Sequence, residues 1–355
     1  MRSWKFWVGL LVSGFFLAIA LQGLDLALFW RILVQANYWW LLPAVPVYFV
    51  GVWLRTRRWR TMLLPLAQIP TARLFPTVVI GYMGNNVYPA RMGEVLRSYV
   101  LRRDEGVPMS ASLATVVLER LFDGLVMLLF IFATLPFVPL PPIYARLALV
   151  VSALFGTALL VFMLLAARPA RLSRLYSLAV DRLPPASWRP RLHGLFDRFI
   201  VGLQSLRSPR QLLAIALISV LIWLVETCTY WIVARAFQLE VGFSGLMLMT
   251  AVVNLFTSIP STPGYVGTFH APGIAVLMQL GVPQAIATGF TVVLHITLWL
   301  PITLLGAWFM LRASLGWGDM ERAARLKEQQ MTASPEPDAV SREVAPEDVA
   351  TRVSS

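Results

Sequence analysis

The sequence predicts an all-α polytopic membrane protein with about six spanning helices and two re-entrant hairpins arranged as an inverted repeat. Three observations support this fold class. The chain is 58% hydrophobic and only 14% charged, whereas ordinary globular domains carry about 25% charged residues. Its apolar runs are bounded by clusters of arginine or proline. One interrupted apolar stretch in the first half is matched by another in the second half.

Composition and charge exclude several functions. The net charge of +12 would suggest nucleic-acid binding in a soluble chain, but here the basic residues flank apolar runs, where they anchor membrane edges. We therefore expect membrane lipids and no nucleic acid as partners. The single cysteine, Cys228, excludes an internal disulfide, and the three histidines lack metal-ligand spacing. No metal and no other cofactor is expected.

Six apolar segments approach the length of a spanning helix, which takes about 20 residues. They cover residues 6–22, 38–54, 111–135, 144–167, 211–237 and 285–311. The first also resembles a signal peptide, with Arg2 and Lys5 before an apolar core, but its apolar run extends back to Trp4. This favours an uncleaved helix. Residues 24–36 are predicted to form a short outer connection.

Two further apolar stretches are interrupted by polar residues and predict the hairpins. The first covers residues 74–101 with its break at 85–94, and the second covers 246–280 with its break at 260–267. Irregular backbone at membrane depth is tolerated only where protein or a water-filled cavity covers it. Each tip is therefore a candidate site. The predicted tip residues are Pro89, Gly93, Pro260, Pro263, Gly264 and Gly267.

Arginine placement predicts the orientation. Four arginines at 55–60 close the second helix and belong on the cytoplasmic side, whereas residues 238–284 contain no lysine or arginine. The hairpins would thus enter from opposite sides of a bacterial inner (plasma) membrane, with both termini cytoplasmic. The transport domain would cover residues 1–312, followed by a largely disordered cytoplasmic tail, 313–355.

The basic segment 168–210 carries an apolar stripe at helical spacing with arginines off the stripe. It is predicted either to lie on the anionic inner leaflet or to pack on its own protein.

An internal repeat supports the inverted arrangement. Residues 88–93 parallel 262–267, Gly106-Val-Pro108 parallels Gly281-Val-Pro283, and 115–118 parallel 291–294, all at nearly constant spacing. Three predicted spans separate the two units, so the second unit would be upside down. Many secondary transporters are built from inverted repeats with broken helices near the midplane.

Charged residues near the first hairpin form the main candidate site. Glu119 and Asp123 lie one turn apart on one helix face, where two carboxylates repel each other. Each needs a cation, a proton or water inside a membrane. One interpretation is an ion-pair cluster that fixes the hairpin to the third helix. The other is a binding site for a lipid phosphate. The candidate residues of this cluster are Asn85, Asn86, Arg91, Glu94, Arg97, Glu119, Arg120 and Asp123.

A second candidate cluster surrounds the other hairpin and consists of Glu226, His270 and His295. Histidine titrates near neutral pH, which would allow proton coupling. The half-helices beginning near Pro89 and Thr268 would aim unpaired amides at the cavity, suiting an anionic headgroup.

These motifs resemble a known family. NNVYPARMGEVLR, then GVP and VVLERLFDG, and later SIPSTPGYVG are similar to the flippase-like proteins related to the transmembrane domain of lysylphosphatidylglycerol synthase. The resemblance covers residues 1 to about 312 and implies movement of lipids, such as aminoacylated phospholipids or lipid-linked sugars, between leaflets. The resemblance also implies functional roles for two groups of residues. In the charged cluster these are Asn85, Arg91, Glu94, Arg97, Glu119, Arg120 and Asp123. At the hairpin tips they are Pro89, Gly93, Pro260, Pro263, Gly264 and Gly267.

The chain departs from the family in two respects. Where the family commonly has a glutamate after the second glycine-rich break and an arginine in the last helix, this chain has His270 and His295. The polar stretches 168–210 and 312–355 are also too short for the soluble synthase domain of bifunctional members. We therefore expect a lipid transporter for anionic or zwitterionic lipids, with aminoacylated and isoprenoid-linked lipids among the candidates, and not an enzyme. The alternatives are an intramembrane enzyme on a lipid-linked substrate and a non-catalytic subunit of a lipid-synthesis complex. A second copy of the chain or a lipid-synthesis enzyme would be the protein partner.

Overall fold

The structure, a computed structural model, describes residues 4–88, 91–138, 157, 208–258 and 262–313. Within these ranges the chain forms α-helices and short turns, without a β-strand. The predicted helix 144–167, most of the basic segment 168–210 and nearly all of the tail lie outside the described residues. The all-α fold class is confirmed for the described part.

In the part of the chain that the structure describes, ten helices position the candidate site, and two 3₁₀ turns, Tyr38–Trp40 and Pro263–Tyr265, accompany them. The helices are α1 (Trp4–Leu21), α2 (Leu26–Gln35), α3 (Leu41–Leu63), α4 (Thr71–Val87), α5 (Met92–Glu105), α6 (Met109–Thr134), α7 (Pro209–Ala236), α8 (Phe243–Phe256), α9 (His270–Gln279) and α10 (Gln284–Arg312).

The Gly-Val-Pro matches of the sequence repeat form the same turn twice. Gly106 follows α5 with φ 69°, and Gly281 follows α9 with φ 85°. Glycine adopts this left-handed backbone without steric cost. Pro108 and Pro283 are the residues that precede α6 and α10, and the fixed φ of proline suits the entry into a helix. Both hairpins therefore pass into a long helix by the same local chemistry.

Two helices differ from the prediction. Within residues 24–36, predicted as a connection, Leu26–Gln35 form α2, which is bent from α1 by 88°. Helix α3 continues to Leu63 instead of ending at 54, so Arg55 and Arg58 lie within it and are buried. Arginine clusters usually mark the end of a span. Here the guanidinium groups remain inside because carboxylates of other helices neutralise them.

Several helices have the length needed to cross a membrane. Helices α7 and α10 pass by both length and composition, and α1 with α2 is a third candidate if the bent pair is one span. Helices α3 and α6 contain 23 and 26 residues, enough for a bilayer core of about 30 Å. Both carry charged residues in their inner turns, Arg55 and Arg58 in α3 and Glu119, Arg120 and Asp123 in α6.

Helices α3 to α10 pack in a two-fold pattern. The units α3–α6 and α7–α10 each consist of a long helix, a two-helix hairpin and a second long helix. Helices α3, α4, α5 and α6 correspond in order to α7, α8, α9 and α10. Wherever two of these helices pack together, the two corresponding helices also pack together. Thus α4 packs on α10 as α8 packs on α6, and α3 packs on α10 as α7 packs on α6. The corresponding helices α3 and α7 make the most extensive contact.

Helices α3 and α7 run antiparallel. The Asn37 N–H, just before α3, donates to the carbonyl of Ala236 at the end of α7 (2.9 Å), while Arg58 near the other end of α3 reaches Ser219. Midway, a methyl group placed on Gly51 would contact Val225. Gly51 and Val225 are 174 residues apart, as are Arg91 and Tyr265 in the matched hairpin tips. The two corresponding helices therefore cross head to tail at corresponding residues.

Candidate functional site

Glycines close the first hairpin. Gly81 and Gly84 of α4 face Gly93 at the start of α5, and a Cβ atom on Gly93 would overlap the backbone oxygen of Gly81. Only a residue without a side chain lets the helices approach this closely. The predicted tip residue Gly93 thus has a packing role, and Pro89 lies outside the described residues.

Left-handed glycines shape the second tip. Gly264, in the turn that begins at Pro263, has φ 72°, and Gly267 has φ 87°. The tip is also attached to α1, because the Ser13 and Thr262 hydroxyls hydrogen-bond at 2.7 Å. Pro260 lies outside the described residues.

The two tips contact each other at matched positions. The Arg91 guanidinium carbon lies 5.8 Å from the centroid of the Tyr265 ring, and Arg91 Nη2 donates to the carbonyl of Thr257 at 2.9 Å. Arg91 and Tyr265 both have left-handed backbone, with φ of 54° and 58°. This conformation costs a non-glycine residue roughly 1–2 kcal/mol. Both tips therefore carry backbone strain at the point where they meet.

A cavity of about 490 Å³ lies between the tips and the long helices. This volume is within the usual range of ligand sites. The predicted site residues that line it are Asn85, Asn86, Arg91, Glu94, Arg120, Asp123, Glu226 and His295. Aromatic side chains form much of the remaining wall, namely Tyr48, Tyr82, Trp223, Tyr265, Phe269 and Trp299. The cavity is thus charged mainly on the side of the first hairpin and aromatic on the side of the second.

Asn86 fixes the end of α4 to α10. Its side-chain amide donates to Thr303 Oγ1 at 2.8 Å and to the carbonyl of Trp299 at 3.3 Å. The neighbouring Asn85 has a buried Oδ1 without a hydrogen-bond partner. The two asparagines therefore differ: Asn86 is a packing residue, and Asn85 has an unused acceptor at the cavity.

Arg97 and Glu119 form an ion pair between α5 and α6. They are 4% and 2% exposed, and the Arg97 guanidinium also lies 4.8 Å from the ring centroid of Trp59. This pair holds the returning arm of the first hairpin against α6. This geometry agrees with the interpretation of the charged cluster as ion pairs that fix the first hairpin to the following long helix.

Arg58 neutralises the two carboxylates that lie one turn apart on α6. Its Nη1 donates to Asp123 Oδ1 at 2.6 Å and to Ser219 Oγ at 2.9 Å, and its Nη2 lies 3.8 Å from Glu119. Trp223 Nε1 donates a further hydrogen bond to Asp123 at 3.0 Å. Arg58 therefore joins α3, α6 and α7, and its charge offsets the repulsion between Glu119 and Asp123.

Arg91 and Arg120 share one carboxylate. Glu94 Oε1 lies 3.6 Å from Arg91 Nη1 and 3.4 Å from Arg120 Nε, and Arg120 Nη1 lies 3.6 Å from Asp123. These separations exceed those of charge-assisted hydrogen bonds, about 2.7–2.9 Å. Arg120 Nε is buried and has no hydrogen-bond partner. Arg120 therefore lines the cavity with a guanidinium group held only by these longer contacts to Glu94 and Asp123.

Sequence reasoning missed Arg55 and Arg58 as site residues. Arg55 forms a buried ion pair with Glu226 across the α3–α7 interface, and its guanidinium lies 5.0 Å from the Trp223 ring centroid. Glu226 is thus paired with Arg55, whereas the sequence grouped it with the histidines. The available signal was helical spacing, because Arg55 and Arg58 continue the face of α3 that includes Gly51.

His270 and His295 lie together beside the second tip. The Gly267 N–H donates to His270 Nδ1 at 3.3 Å, so the proton of a neutral His270 lies on Nε2. That atom is 3.3 Å from His295 Nδ1, and Phe269 stacks on the His295 ring with centroids 4.7 Å apart. His270 Nε2 therefore donates its proton to His295 Nδ1, and the two facing ring nitrogens are paired with each other. Among the described residues, no group of three or more His, Cys, Asp or Glu side chains could hold a metal ion.

Several known proteins are similar to this chain in sequence. A UPF0104 membrane protein of Methanothermobacter thermautotrophicus is 25% identical over 66% of this chain and 72% of the relative. A UPF0104 membrane protein of Methanocaldococcus jannaschii is 25% identical over 63% of this chain and 91% of the relative. The glycosyltransferase AglD of Haloferax volcanii is 27% identical over 65% of this chain, but the match spans only 42% of that relative.

The model of one protein family, described as the lysylphosphatidylglycerol synthase TM region, matches residues 6–306. This range includes both hairpins and every residue of the candidate site. The protein is therefore a membrane protein that belongs to the lysylphosphatidylglycerol synthase TM region family.

Proposed function

We propose that the protein moves lipids with anionic or zwitterionic headgroups between membrane leaflets. The headgroup would pass through the cavity while the acyl or isoprenoid tails stay in the bilayer. The observation that carries this proposal is the contact of the two hairpin tips, Arg91 on Tyr265, at a polar cavity inside an otherwise apolar helical protein. The family description names the synthase of a phospholipid, which favours a lipid as the cargo.

The proposal includes an inverted repeat with six spans and hairpins that enter from opposite sides. The antiparallel crossing of α3 and α7 supports it, because two corresponding helices can be antiparallel only if one unit is upside down relative to the other. Transporters built this way hold their substrate near the bilayer midplane, between the repeats. The cytoplasmic termini and the bacterial plasma membrane stay predictions from the arginine distribution.

We further propose that the site transports without chemical conversion. Each carboxylate of the charged cluster lies within 4 Å of an arginine, and the two histidines hydrogen-bond each other. A general acid or base needs a proton that it can exchange with substrate. These carboxylates and histidines are instead engaged with protein groups.

A leaflet-exchange assay tests the proposal. Purified protein is reconstituted in vesicles that contain tail-labelled fluorescent phosphatidylglycerol in both leaflets, and dithionite then bleaches the label that reaches the outer leaflet. We expect wild-type vesicles to lose nearly all label and Arg91→Ala vesicles to retain their inner pool. Arg57→Gln is the control, because Arg57 lies on the exposed face of α3.

Two results would contradict the proposal. If wild-type vesicles are bleached no more than protein-free vesicles, the protein does not transport this lipid. A chemically altered lipid in the recovered vesicles would favour the intramembrane enzyme instead.

A further inference from the structure

We infer that the cavity selects headgroups with one net negative charge, in particular a phosphodiester whose remaining part is uncharged and hydroxylated, such as a glycerol or a sugar. This inference rests on the proposed function and narrows the class of lipid that it concerns.

Among the described residues, the charged cluster of the site has one more positive charge than it has negative charges. The cluster contains five arginines, at positions 55, 58, 91, 97 and 120, and four carboxylates, Glu94, Glu119, Asp123 and Glu226. An uncompensated charge in a membrane interior is costly. A ligand with a single negative charge would bring this cluster to neutrality, whereas a zwitterionic or cationic headgroup would leave or enlarge the excess.

The carboxylates also offer little to an amine. Glu226 is paired with Arg55, Glu119 with Arg97, and Asp123 accepts from Arg58 and Trp223. An ammonium group would have to displace one of these partners. Of the arginines in the cluster, Arg91 and Arg120 are the farthest from their nearest carboxylate, at 3.6 and 3.4 Å, and both line the cavity. Arginine matches the oxygens of a phosphate ester by its planar fork of donors.

The rest of the wall suits a hydroxylated group. Asn85 lines the cavity, and its Oδ1 is buried without a hydrogen-bond partner. Rotation of this side chain toward the cavity would let the oxygen accept a hydrogen bond from a ligand hydroxyl, which makes good the cost of an unpaired buried acceptor. The rings of Tyr265 and Trp299 also line the cavity. The carbon faces of a glycerol or sugar can pack on such rings, and removing these faces from water is favourable.

Native mass spectrometry of the full-length protein tests this selection. The probe is an equimolar mixture of phosphatidylglycerol, phosphatidylethanolamine and lysylphosphatidylglycerol with identical acyl chains. We expect phosphatidylglycerol adducts to exceed each of the others roughly tenfold, the effect of one charge-assisted hydrogen bond. Equal adducts, or a preference for the aminoacylated lipid, would overturn the inference.

Two variants change the charge of the site in opposite directions. Arg91→Gln removes the positive excess and is expected to shift the preference toward zwitterionic phosphatidylethanolamine. Glu94→Gln adds one positive charge while keeping both guanidinium groups. With phosphatidic acid of the same acyl chains added to the mixture, this variant is expected to shift the preference toward phosphatidic acid. Arg57→Gln, outside the cavity, should keep the wild-type preference. A preference that does not follow the charge in either variant would contradict the inference.

The outcome is separable from that of the proposed function. Charge-dependent binding without leaflet exchange would leave the selection intact and refute transport. Exchange of all labelled lipids at equal rates would support transport and refute the selection by charge. Glycerol phosphate that displaces phosphatidylglycerol at equal concentration would assign the site to a soluble phosphate ester and overturn the lipid assignment.

Discussion

The Arg91 guanidinium lies over the ring of Tyr265, the residue that the sequence comparison of the two hairpin tips aligns with Arg91. The guanidinium carbon is 5.8 Å from the ring centroid, and both residues have left-handed backbone. The two tips therefore repeat a backbone conformation but not a side chain. A cation on one tip meets an aromatic ring on the other, so the contact is between unlike partners although the helices around it correspond.

Replacing Tyr265 isolates the contribution of the ring. Tyr265→Phe keeps the aromatic face, and Tyr265→Leu removes it, while both substitutions keep a non-glycine residue at φ 58°. We expect Leu to destabilise the protein by about 0.5–2 kcal/mol relative to Phe, the value of a cation–π contact. Thermal unfolding of the purified variants measures this difference. Equal melting temperatures would mean that the ring does not hold Arg91.

Gly93 is expected to tolerate no side chain. A methyl group on Gly93 overlaps the backbone oxygen of Gly81, so Gly93→Ala must separate α4 from α5 and should cost several kcal/mol, at or above the ~1–3 kcal/mol of ordinary overpacking. The matched control is Gly14→Ala in α1, where a methyl group meets nothing within 4 Å. This control should be neutral or slightly stabilising. Similar melting temperatures for the two variants would exclude the close contact of α4 with α5.

Arg57 and Arg58 are neighbours in sequence with opposite roles. Arg58 is 1% exposed and binds Asp123 and Ser219, whereas Arg57 is exposed and lies over the ring of Trp53. Arg58→Gln leaves buried carboxylates without their cation, which typically costs about 3–5 kcal/mol. Arg57→Gln should cost less than about 1 kcal/mol. Denaturant unfolding in detergent compares the two, and a comparable loss in both would contradict the assigned role of Arg58.

The sequence was sufficient for most of the long helices because they depend on local signals. Apolar length predicted α6, α7 and α10 within a few residues. Arg55 and Arg58 could not be assigned in this way. Whether an arginine ends a span or lies inside it depends on carboxylates supplied by distant helices. Helix α2 was missed because its apolar run is too short to distinguish a helix from a loop by periodicity.

The Arg55–Glu226 pair offers a direct test of the antiparallel contact between α3 and α7. Arg55→Glu alone places two buried carboxylates together, and Glu226→Arg alone places two guanidinium groups together. Each single variant should lose several kcal/mol, because removing one partner of a buried pair costs about 3–5 kcal/mol. The double variant, Arg55→Glu with Glu226→Arg, restores opposite charges and should recover part of this loss.

Full recovery is not expected from that double variant, because Arg55 also lies near the Trp223 and Tyr82 rings, and a glutamate cannot replace these cation–π contacts. The interaction energy from the four-member cycle gives the measurement. A value near zero would show that the two side chains do not act on each other, and the antiparallel register of α3 and α7 would lose its most specific support. A clear favourable coupling would instead show that the Arg55–Glu226 ion pair stabilises the contact between α3 and α7.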